Sequence, residues 1–573
     1  MHKLSGILLS LISVTTVTAF AYAQPPESAN VTGVTNQDWP DGISSVASIG
    51  QLIQQRAPTT TVPDIIIRSG LATQGALPVK RNSALMPHPR LGSNGPMVDV
   101  ARLCGAGYAV ASGGAPAGST IYTNADSVVK LKGQAAAMDA LKTRIAAGSP
   151  VQVHLDMYYV WEEVASQEPV WQTRTKAHVS HFVVVHGYDT SNVYFADNGP
   201  IAQFGPNSEN VRVSWTAFLL AWGKAGTVDR GALGTGPYYM LYLVGPMRFT
   251  YPEWTLAYVS VDAQGAPANF RKVAAMARKP KKGFRQDKML ANAWLFAAMR
   301  PYAAAYATAH GEAMVAAAYT ATAAQWAFIR DNPTSSQVAD TLDQIAGSEE
   351  GAIAKMHIRA TQVAPICCLA PDGVNVGPLG WVTFRWIALP DVTQPQALIG
   401  MTNFQNETAS IVLLPKRGAS FVVVSPKLWM KLLPGDDGDK RLGWRVRGYR
   451  GTQQVTAVAR IMNWTVSQLT SVGPGDGTSI SPTALPTFSW QFPPPLTLRP
   501  KVALSADASF ANRKAMLYLT PRKGTLQMTM SKAVYNAISK KAGASKTVYW
   551  RMEDASAKIT TVLPSTALTL LLP

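Results

Sequence analysis

Alternating apolar and polar positions predict a β-hairpin in the first third of the chain. The run from His181 to His186 places successive side chains on opposite faces, as in a strand. Turn-forming residues at 189–192 end this run, and the apolar segment 193–196 then predicts an antiparallel return strand. In that register Asp197 lies opposite His181 or one pairing position away, with about 5–8 Å between their Cβ atoms. We therefore expect the hairpin to bring a histidine and an acid together.

The pattern changes after residue 250. Residues 251–286 are rich in lysine and arginine, which favours a basic linker, and residues 287–365 are rich in alanine. Alanine is the best helix former, so the second stretch predicts a small helical region, interrupted at Pro301 and at residues 332–333. Its aromatic side chains are expected to form the core of that region.

The last third of the chain predicts two tandem repeats with alternating short strands. Trp386 and Trp490 end similar segments at an offset of 104, and Trp444 and Trp550 occupy matching positions in a second pair of segments at an offset of 106. Each unit has short β-prone runs between proline, glycine and aspartate turns. Two β-sandwiches with buried tryptophans are predicted, over the ranges 370–468 and 470–573.

The N-terminal segment predicts an export signal. Residues 1–23 combine a basic start, an apolar run and an Ala-Tyr-Ala ending, as signal peptides do. Residues 24–97 are then expected to be an N-terminal extension, and no later stretch predicts a transmembrane span. These features predict a secreted, periplasmic or cell-surface protein.

Composition fits a multidomain exported protein. With 573 residues the chain is too long for one core, and its charged fraction of 15% is below the roughly 25% of an average soluble protein. The 39 prolines and 44 glycines favour β-rich modules and linkers. The fold class expected is multidomain, with an α+β domain, a helical region and all-β modules.

A single cysteine upstream of the hairpin suggests nucleophilic chemistry. Cys104, His181 and Asp197 together have the residue types of a thiol hydrolase, in which the thiolate attacks and the histidine acts as base. The alternative is that Cys104 is buried, or that it bridges Cys367 or Cys368. Both interpretations stay open at this point.

Four segments of this region resemble a known family. They are ALKTRIAAGSPVQVHLDMYYV (140–160), HFVVVHGYD, VYFADN and VSWTAFLLAWGKAG (213–226). They resemble the bacteriocin-processing (double-glycine-leader) cysteine peptidase-like family of the papain-like clan, and the arrangement is also similar to the N-terminal domain of the butirosin-biosynthesis type. The resemblance implies a papain-like domain over residues 98–250.

The resemblance also implies site residues and a reaction. Cys104 would be the nucleophile at a helix N-terminus, His181 the base and Asp197 the residue that orients it. The reaction implied is cleavage of a peptide or amide bond by acyl transfer, with no cofactor. The two C-terminal units resemble fibronectin type III-like modules, which also follow bacterial exported enzymes; the segment 548–552 matches their "tvYWRV" strand.

The histidines do not predict a metal site. His181 and His186 have opposite parity on one strand and point to opposite faces, and His178 differs in parity from His181. His178 and His186 share a face but lie far apart, and His154 is on another predicted strand. We therefore predict no metal.

The formal net charge of +18 bears on partners. The densest basic cluster spans residues 271–288, within the predicted linker, and it could attract an anionic cell-surface polymer through its field. Nucleic acid is not expected, because no binding module is recognisable. A peptide or protein is the expected substrate. The alternative function is a non-catalytic surface-adhesion or scaffold protein with a degenerate papain-like domain.

Overall fold

The structure is a computed structural model. The structure describes residues 25–77, 84–88, 95–114, 119–173, 175–199, 208–228, 235–245, 247, 249–370, 375–376, 382–401, 411–415, 420–424, 440–464, 470–474, 477–482, 485–491, 500–510, 512, 516–520, 527–543, 547–554 and 566–570. The predicted signal peptide, residues 1–23, lies outside the described residues. The described residues form helices and several separate sheets, a mixed α+β multidomain architecture.

An eight-stranded sheet organises the N-terminal domain. Its strands are β1 (Ala29–Asn30), β2 (Gly107–Ser112), β3 (Ser127–Lys130), β4 (Val151–Asp156), β5 (Ser180–Tyr188), β6 (Asn192–Ala196), β7 (Val211–Ser214) and β8 (Met240–Val244). Their order is β3-β2-β8-β4-β5-β6-β7, with β1 paired to β5. The pairs are antiparallel except β2 with β3.

The predicted hairpin is confirmed as β5 and β6. They pair antiparallel, with Val184 opposite Ala196. Alternation also holds, because Phe182 and Val184 join the core on one face while Val183 joins the core on the other. A β-bulge lies where the turn side of the hairpin begins, between positions 185 and 187.

Helices cover both faces of the sheet. They are α1 (Ser44–Arg56), α2 (Val62–Arg68), α3 (Gly95–Leu103), α4 (Thr120–Thr123), α5 (Gln134–Ala146), α6 (Trp161–Gln167), α7 (Pro169–Gln172) and α8 (Trp215–Val228). Apolar side chains of α1, α2 and α3 pack into the core on the Phe182 face. Those of α5, α6 and α8 pack into the core on the Val183 face.

The segment expected to be an N-terminal extension is part of this domain. Helix α1 packs against β5 and α3, and β1 pairs with β5 through Ala29 and Tyr188. The buried indole of Trp39 packs against Gly50, where a Cβ atom would lie within 2.3 Å of the ring. The domain therefore includes residues well before position 98, since they fill one face of its sheet.

The stretch expected to be a basic linker is helical and packed. It forms α9 (Pro252–Ala263) and α10 (Ala266–Arg278), both of which contact α14 (Val338–Gln362). Its basic side chains lie on the outer surface, where Arg271 pairs with Glu350, and Arg278 with Asp340. The apolar positions between the basic ones supply the buried face of α10, which is why the charge run does not form a linker.

Residues 287–365 are helical, as their alanine content predicts. The remaining helices of this region are α11 (Gln286–Met289), α12 (Ala293–Ala309) and α13 (Ala313–Asp331). A fully buried ion pair joins Arg300 of α12 to Glu349 of α14 at 2.7 Å. Within the described part of the chain, none of the helices has the length and apolar character needed to cross a membrane.

Each C-terminal repeat contains two sheets with a shared core. The first repeat has β9 (Ile366–Ala370), β10 (Asn375–Val376), β11 (Val382–Ala388), β12 (Val392–Met401), β13 (Ile411–Leu413), β14 (Phe421–Val424), β15 (Lys440–Arg450), β16 (Gln453–Thr456) and β17 (Arg460–Trp464). The second has β18 (Thr470–Gly473), β19 (Thr478–Ile480), β20 (Thr487–Gln491), β21 (Pro500–Ser505), β22 (Leu517–Leu519), β23 (Gln527–Thr529), α15 (Lys532–Ala542), β24 (Thr547–Asp554) and β25 (Thr566–Leu570).

The aromatic pairs of the two repeats correspond. Phe384 and Trp444 lie 5.0 Å apart between ring centroids in the first repeat, and Phe488 and Trp550 lie 4.9 Å apart in the second. In both repeats the two rings belong to different sheets, so the pair sits in the interface between the sheets.

Candidate active site

His181 and Asp197 form a hydrogen-bonded pair at one end of β5. The Nε2 atom of His181 lies 2.6 Å from Oδ1 of Asp197, and their side chains are only 11% and 1% exposed. The other carboxylate oxygen, Oδ2, is buried without a hydrogen-bond partner among the described residues. A buried carboxylate needs a compensating partner, and here the imidazole provides it. The predicted juxtaposition of His181 and Asp197 is therefore present.

The backbone beside His181 is bound by side chains from outside the sheet. The N–H of Phe182 donates to Oγ of Ser44, the first residue of α1, at 3.3 Å. The carbonyl of Phe182 accepts a hydrogen bond from Nδ2 of Asn198 at 2.9 Å. Because β6 ends at Ala196, these two side chains take the place of a neighbouring strand. The N-terminus of α1 thus lies against the strand that carries His181.

A second histidine lies next to this site, on β4. His154 stacks on Phe182 with 4.5 Å between ring centroids, and its Nδ1 is 2.7 Å from Oγ1 of Thr235. Its Nε2 atom contacts Oγ of Ser180. Burial, with a smaller contribution from His181, lowers the pKa of His154 to about 3. His154 is therefore neutral at physiological pH.

Cys104 is not at a helix N-terminus, which corrects that prediction. It follows Leu103, the last residue of α3, and its N–H donates to the carbonyl of Val100 in the closing turn of that helix. The side chain is completely buried in the apolar core. Burial raises the pKa of the Cys104 thiol to about 12. A reactive thiol requires the opposite, a lowered pKa and access to substrate.

The structure also separates Cys104 from the histidine. Cys104 is three residues before Gly107, which pairs with Val244 at the end of β8. The same end of β8 binds Arg56, the last residue of α1, through the carbonyl of Leu243 at 2.6 Å. Since Ser44 at the other end of α1 contacts the His181 strand, Cys104 lies near the opposite end of a helix about 20 Å long.

The structure shows whether the cysteines are buried and whether they form a disulfide. None of the three cysteines, all within the described residues, forms a disulfide, and Cys104 and Cys368 are buried. The structure thus contains the buried thiol of the alternative interpretation, without a disulfide.

The other histidines have separate partners. His178 lies 2.8 Å from Asp156 and stacks on Tyr158, and it is more than half exposed. His186 contacts Oδ1 of Asn30 at 3.0 Å, and burial lowers its pKa. Neither joins His181 in a shared cluster among the described residues.

One group of potential metal ligands occurs in the described part of the chain. Ligand atoms of His88, Asp99 and Asp262 lie within 4.8 Å of one another, near α3 and α9. Arg102 approaches Asp99 at 3.8 Å and already supplies a positive charge there. These residues fit an internal ion-pair network, and the His181 site is elsewhere.

Comparison with known proteins identifies one related family. Residues 97–229 match the model of a family described as "Peptidase_C39 like family". The matched segment contains Cys104, His181 and Asp197 but begins after α1. This match supports a C39-like peptidase domain in the N-terminal part of the chain. No curated protein sequence matches the chain.

Solved structures add little. The chain is similar to the FN1–FN3 domains of chicken CNTN1, with 7% identity over 36% of this chain and 70% of that chain, at a TM-score of 0.14. It is also similar to fibronectin(III)-like modules of Clostridium thermocellum CbhA, with 6% identity over 36% of this chain and 93% of that chain, again at a TM-score of 0.14. Such low scores carry no argument about the repeats.

Sequence reasoning missed Ser44. The segment from Ser44 to Arg56 follows an Asp-Gly turn and opens with small side chains before apolar ones, which is a helix-start signal. That signal identifies a helix but gives no indication that its first residue lies beside His181.

Proposed function

We propose that the N-terminal domain is a hydrolase that cleaves a peptide or amide bond by acyl transfer, with His181 as its general base. The observation that carries the proposal is the buried hydrogen bond between His181 and Asp197. The match of residues 97–229 to a peptidase-like family supports the same reaction class.

In this mechanism the two residues have different tasks. Asp197 accepts the Nε2–H of His181, fixes the tautomer and stabilises the imidazolium that forms when His181 takes a proton. His181 removes the proton of the attacking group and then delivers it to the leaving amine. The low exposure of both side chains keeps water from weakening their interaction.

Cys104 has no part in this proposal. Its thiol is buried in the core and its pKa is raised, so it can neither ionise readily nor meet a substrate. This revises the Cys-His-Asp mechanism expected from the sequence and keeps the reaction class.

The test is hydrolysis of a fluorogenic peptide library by the full chain and two variants. His181→Ala should lower turnover on the order of 100-fold or more, the usual contribution of a general base. His178→Ala is the matched control, because it disrupts another histidine–aspartate pair near the same end of the sheet, and it should retain turnover.

Two results would overturn the proposal. Equal turnover by the His181→Ala variant would remove the assigned base. Absence of hydrolysis across the library by the unaltered protein would favour a non-catalytic surface-adhesion or scaffold protein that retains a degenerate domain.

We also propose that the protein is exported, because residues 1–23 have the order of a signal peptide. Mass spectrometry of the protein recovered from outside the cytoplasm should find Gln24 as its first residue. A chain that retains residues 1–23 and stays in the cytoplasm would contradict this.

A further inference from the structure

We infer that Ser44 is the nucleophile of the N-terminal domain, in the place where the sequence suggested a cysteine. The inference rests on the proposed hydrolase function, since it assigns the group that His181 activates. It is drawn from the placement of α1 against β5.

Ser44 lies beside the strand that carries His181. The Ser44 Oγ atom is 3.3 Å from the backbone nitrogen of Phe182. That nitrogen is about 2.4 Å from the Cα atom of His181 by standard backbone dimensions. Ser44 Oγ is therefore within about 6 Å of the His181 Cα atom, at the edge of β5 where β6 has ended.

The placement of Ser44 is fixed from both directions. Nε2 of Gln152, on β4, donates to the carbonyl of Ser45 at 3.0 Å, which ties the first turn of α1 to the sheet. Arg56 ties the last turn to the end of β8. Ser44 binds the N–H of Phe182 and Asn198 binds its carbonyl, so both backbone polar groups of that residue have side-chain partners.

The chemistry of the hydroxyl suits the task. Ser44 Oγ uses a lone pair to accept the Phe182 N–H and keeps its own proton to donate. The side chain is only partly buried, whereas Asp197 behind the histidine is fully buried. Substrate can therefore approach the hydroxyl while the carboxylate stays dry.

The helix itself supplies a site for the developing negative charge. The N–H groups in the first turn of an α-helix have no acceptor within the helix, and the helix dipole favours an anion at that end. Helix α1 has 13 residues and begins at Ser44. A carbonyl oxygen that becomes an oxyanion during attack by Ser44 would face these N–H groups.

Neighbouring hydroxyls are committed elsewhere. Ser48 is buried and binds the carbonyl of Ser45, and it also accepts a hydrogen bond from Gln152. Ser180 contacts His154, a histidine held neutral within the core. Ser44 is partly exposed, and its hydroxyl binds the backbone of the strand that carries His181.

The reaction balances with water as the only co-reactant. Ser44 Oγ bonds to the carbonyl carbon of the substrate as its proton passes to His181, and the C–N bond then breaks as His181 protonates the departing amine. Water attacks the resulting ester and gives a proton to His181. The carboxylic acid leaves as that proton returns to Ser44 Oγ.

A fluorophosphonate probe, which modifies activated serines, provides the test on the full chain. We expect peptide mapping to find the probe on Ser44 in the unaltered protein and in the Cys104→Ala control. Ser44→Ala and His181→Ala should each lower labelling at least 100-fold. Ser44→Cys should gain rapid alkylation by iodoacetamide at position 44, and adding His181→Ala should slow that alkylation again.

The outcomes separate this inference from the hydrolase proposal. His181-dependent peptide hydrolysis that persists in Ser44→Ala overturns the assignment of Ser44 and leaves the hydrolase proposal intact. Labelling of Ser44 without hydrolysis of any peptide supports the assignment and overturns the hydrolase proposal. Alkylation of the Ser44→Cys thiol that is equally fast without His181 shows that the two groups do not interact, which overturns the inference.

Discussion

The two ends of α1 present opposite environments to a candidate nucleophile. At the first end, Ser44 is partly exposed, begins a helix and contacts the strand that carries His181. Near the other end, Cys104 follows the last residue of α3 and is completely buried. The serine is chemically the weaker nucleophile, yet it begins a helix and contacts the strand of His181, the proposed base.

Environment therefore decides which of these two groups can react. A thiol ionises more easily than a hydroxyl in water, but burial raises the pKa of Cys104 to about 12 and removes that advantage. A serine gains reactivity from an adjacent base, and Ser44 contacts the strand that carries His181, the proposed base. The predictions below test this contrast.

The largest expected effect concerns the partner of the base. Asp197→Asn preserves the shape of the side chain but no longer favours the productive histidine tautomer, so kcat/KM for peptide hydrolysis should fall on the order of 10⁴-fold. Asp156→Asn is the control, because Asp156 belongs to the His178 pair, and it should change the rate less than threefold. A loss below tenfold for Asp197→Asn would show that the pair is structural.

The reactivity of Cys104 is the next test. At pH 8 the native protein should alkylate Cys104 roughly a thousandfold more slowly than the urea-unfolded chain, because the raised pKa lowers the thiolate fraction by about that factor. Cys367, which is partly exposed, should react faster than Cys104 in the native state. Rapid native labelling of Cys104, measured by mass spectrometry after iodoacetamide, would restore it as a candidate nucleophile.

Acid stability tests the neutral histidine beside the site. Because the pKa of His154 is lowered to about 3, the unfolded chain binds its proton first as pH falls below the usual value near 6.5. The contribution of His154 to the free energy of unfolding is present above about pH 6.5 and is lost as the pH falls towards 3. Between pH 6.5 and 5 the loss is roughly 2 kcal/mol.

His154→Gln should remove this part of the pH dependence in urea unfolding followed by circular dichroism. His357→Gln, at a partly exposed position on α14, is the control and should leave the slope unchanged. An unaltered slope in the His154→Gln variant would mean that other groups cause the acid sensitivity.

The smallest expected effect is on the free energy of unfolding, when Cys104 and Ser44 are each replaced by alanine. Cys104→Ala should lower the free energy of unfolding by about 1 kcal/mol or more, since it leaves a cavity in the core. Ser44→Ala should cost about 0.5 kcal/mol, the loss of one partly exposed hydrogen bond. Denaturant unfolding of both variants gives the comparison, and the reverse order would contradict the contrast in burial.

The local elements of this protein follow from its sequence alone. The alternation in the His181 run and the turn residues after it specify the β5–β6 hairpin, and with it the His181–Asp197 pair, because both residues belong to one local unit. The alanine content of residues 287–365 likewise specifies helices, since helix propensity is a local property.

Which distant segments meet at that hairpin depends instead on tertiary packing. Residue types predicted Cys104 as the nucleophile, but Cys104 follows the end of a helix and is buried in the core. Ser44, which contacts the His181 strand, lies 137 positions before His181 in the sequence. The basic run after residue 250 forms helices rather than a linker because its apolar side chains pack against α14. Local sequence patterns predict secondary structure and turns. The packing of distant segments depends on which apolar faces bury each other, and no single position specifies that pairing.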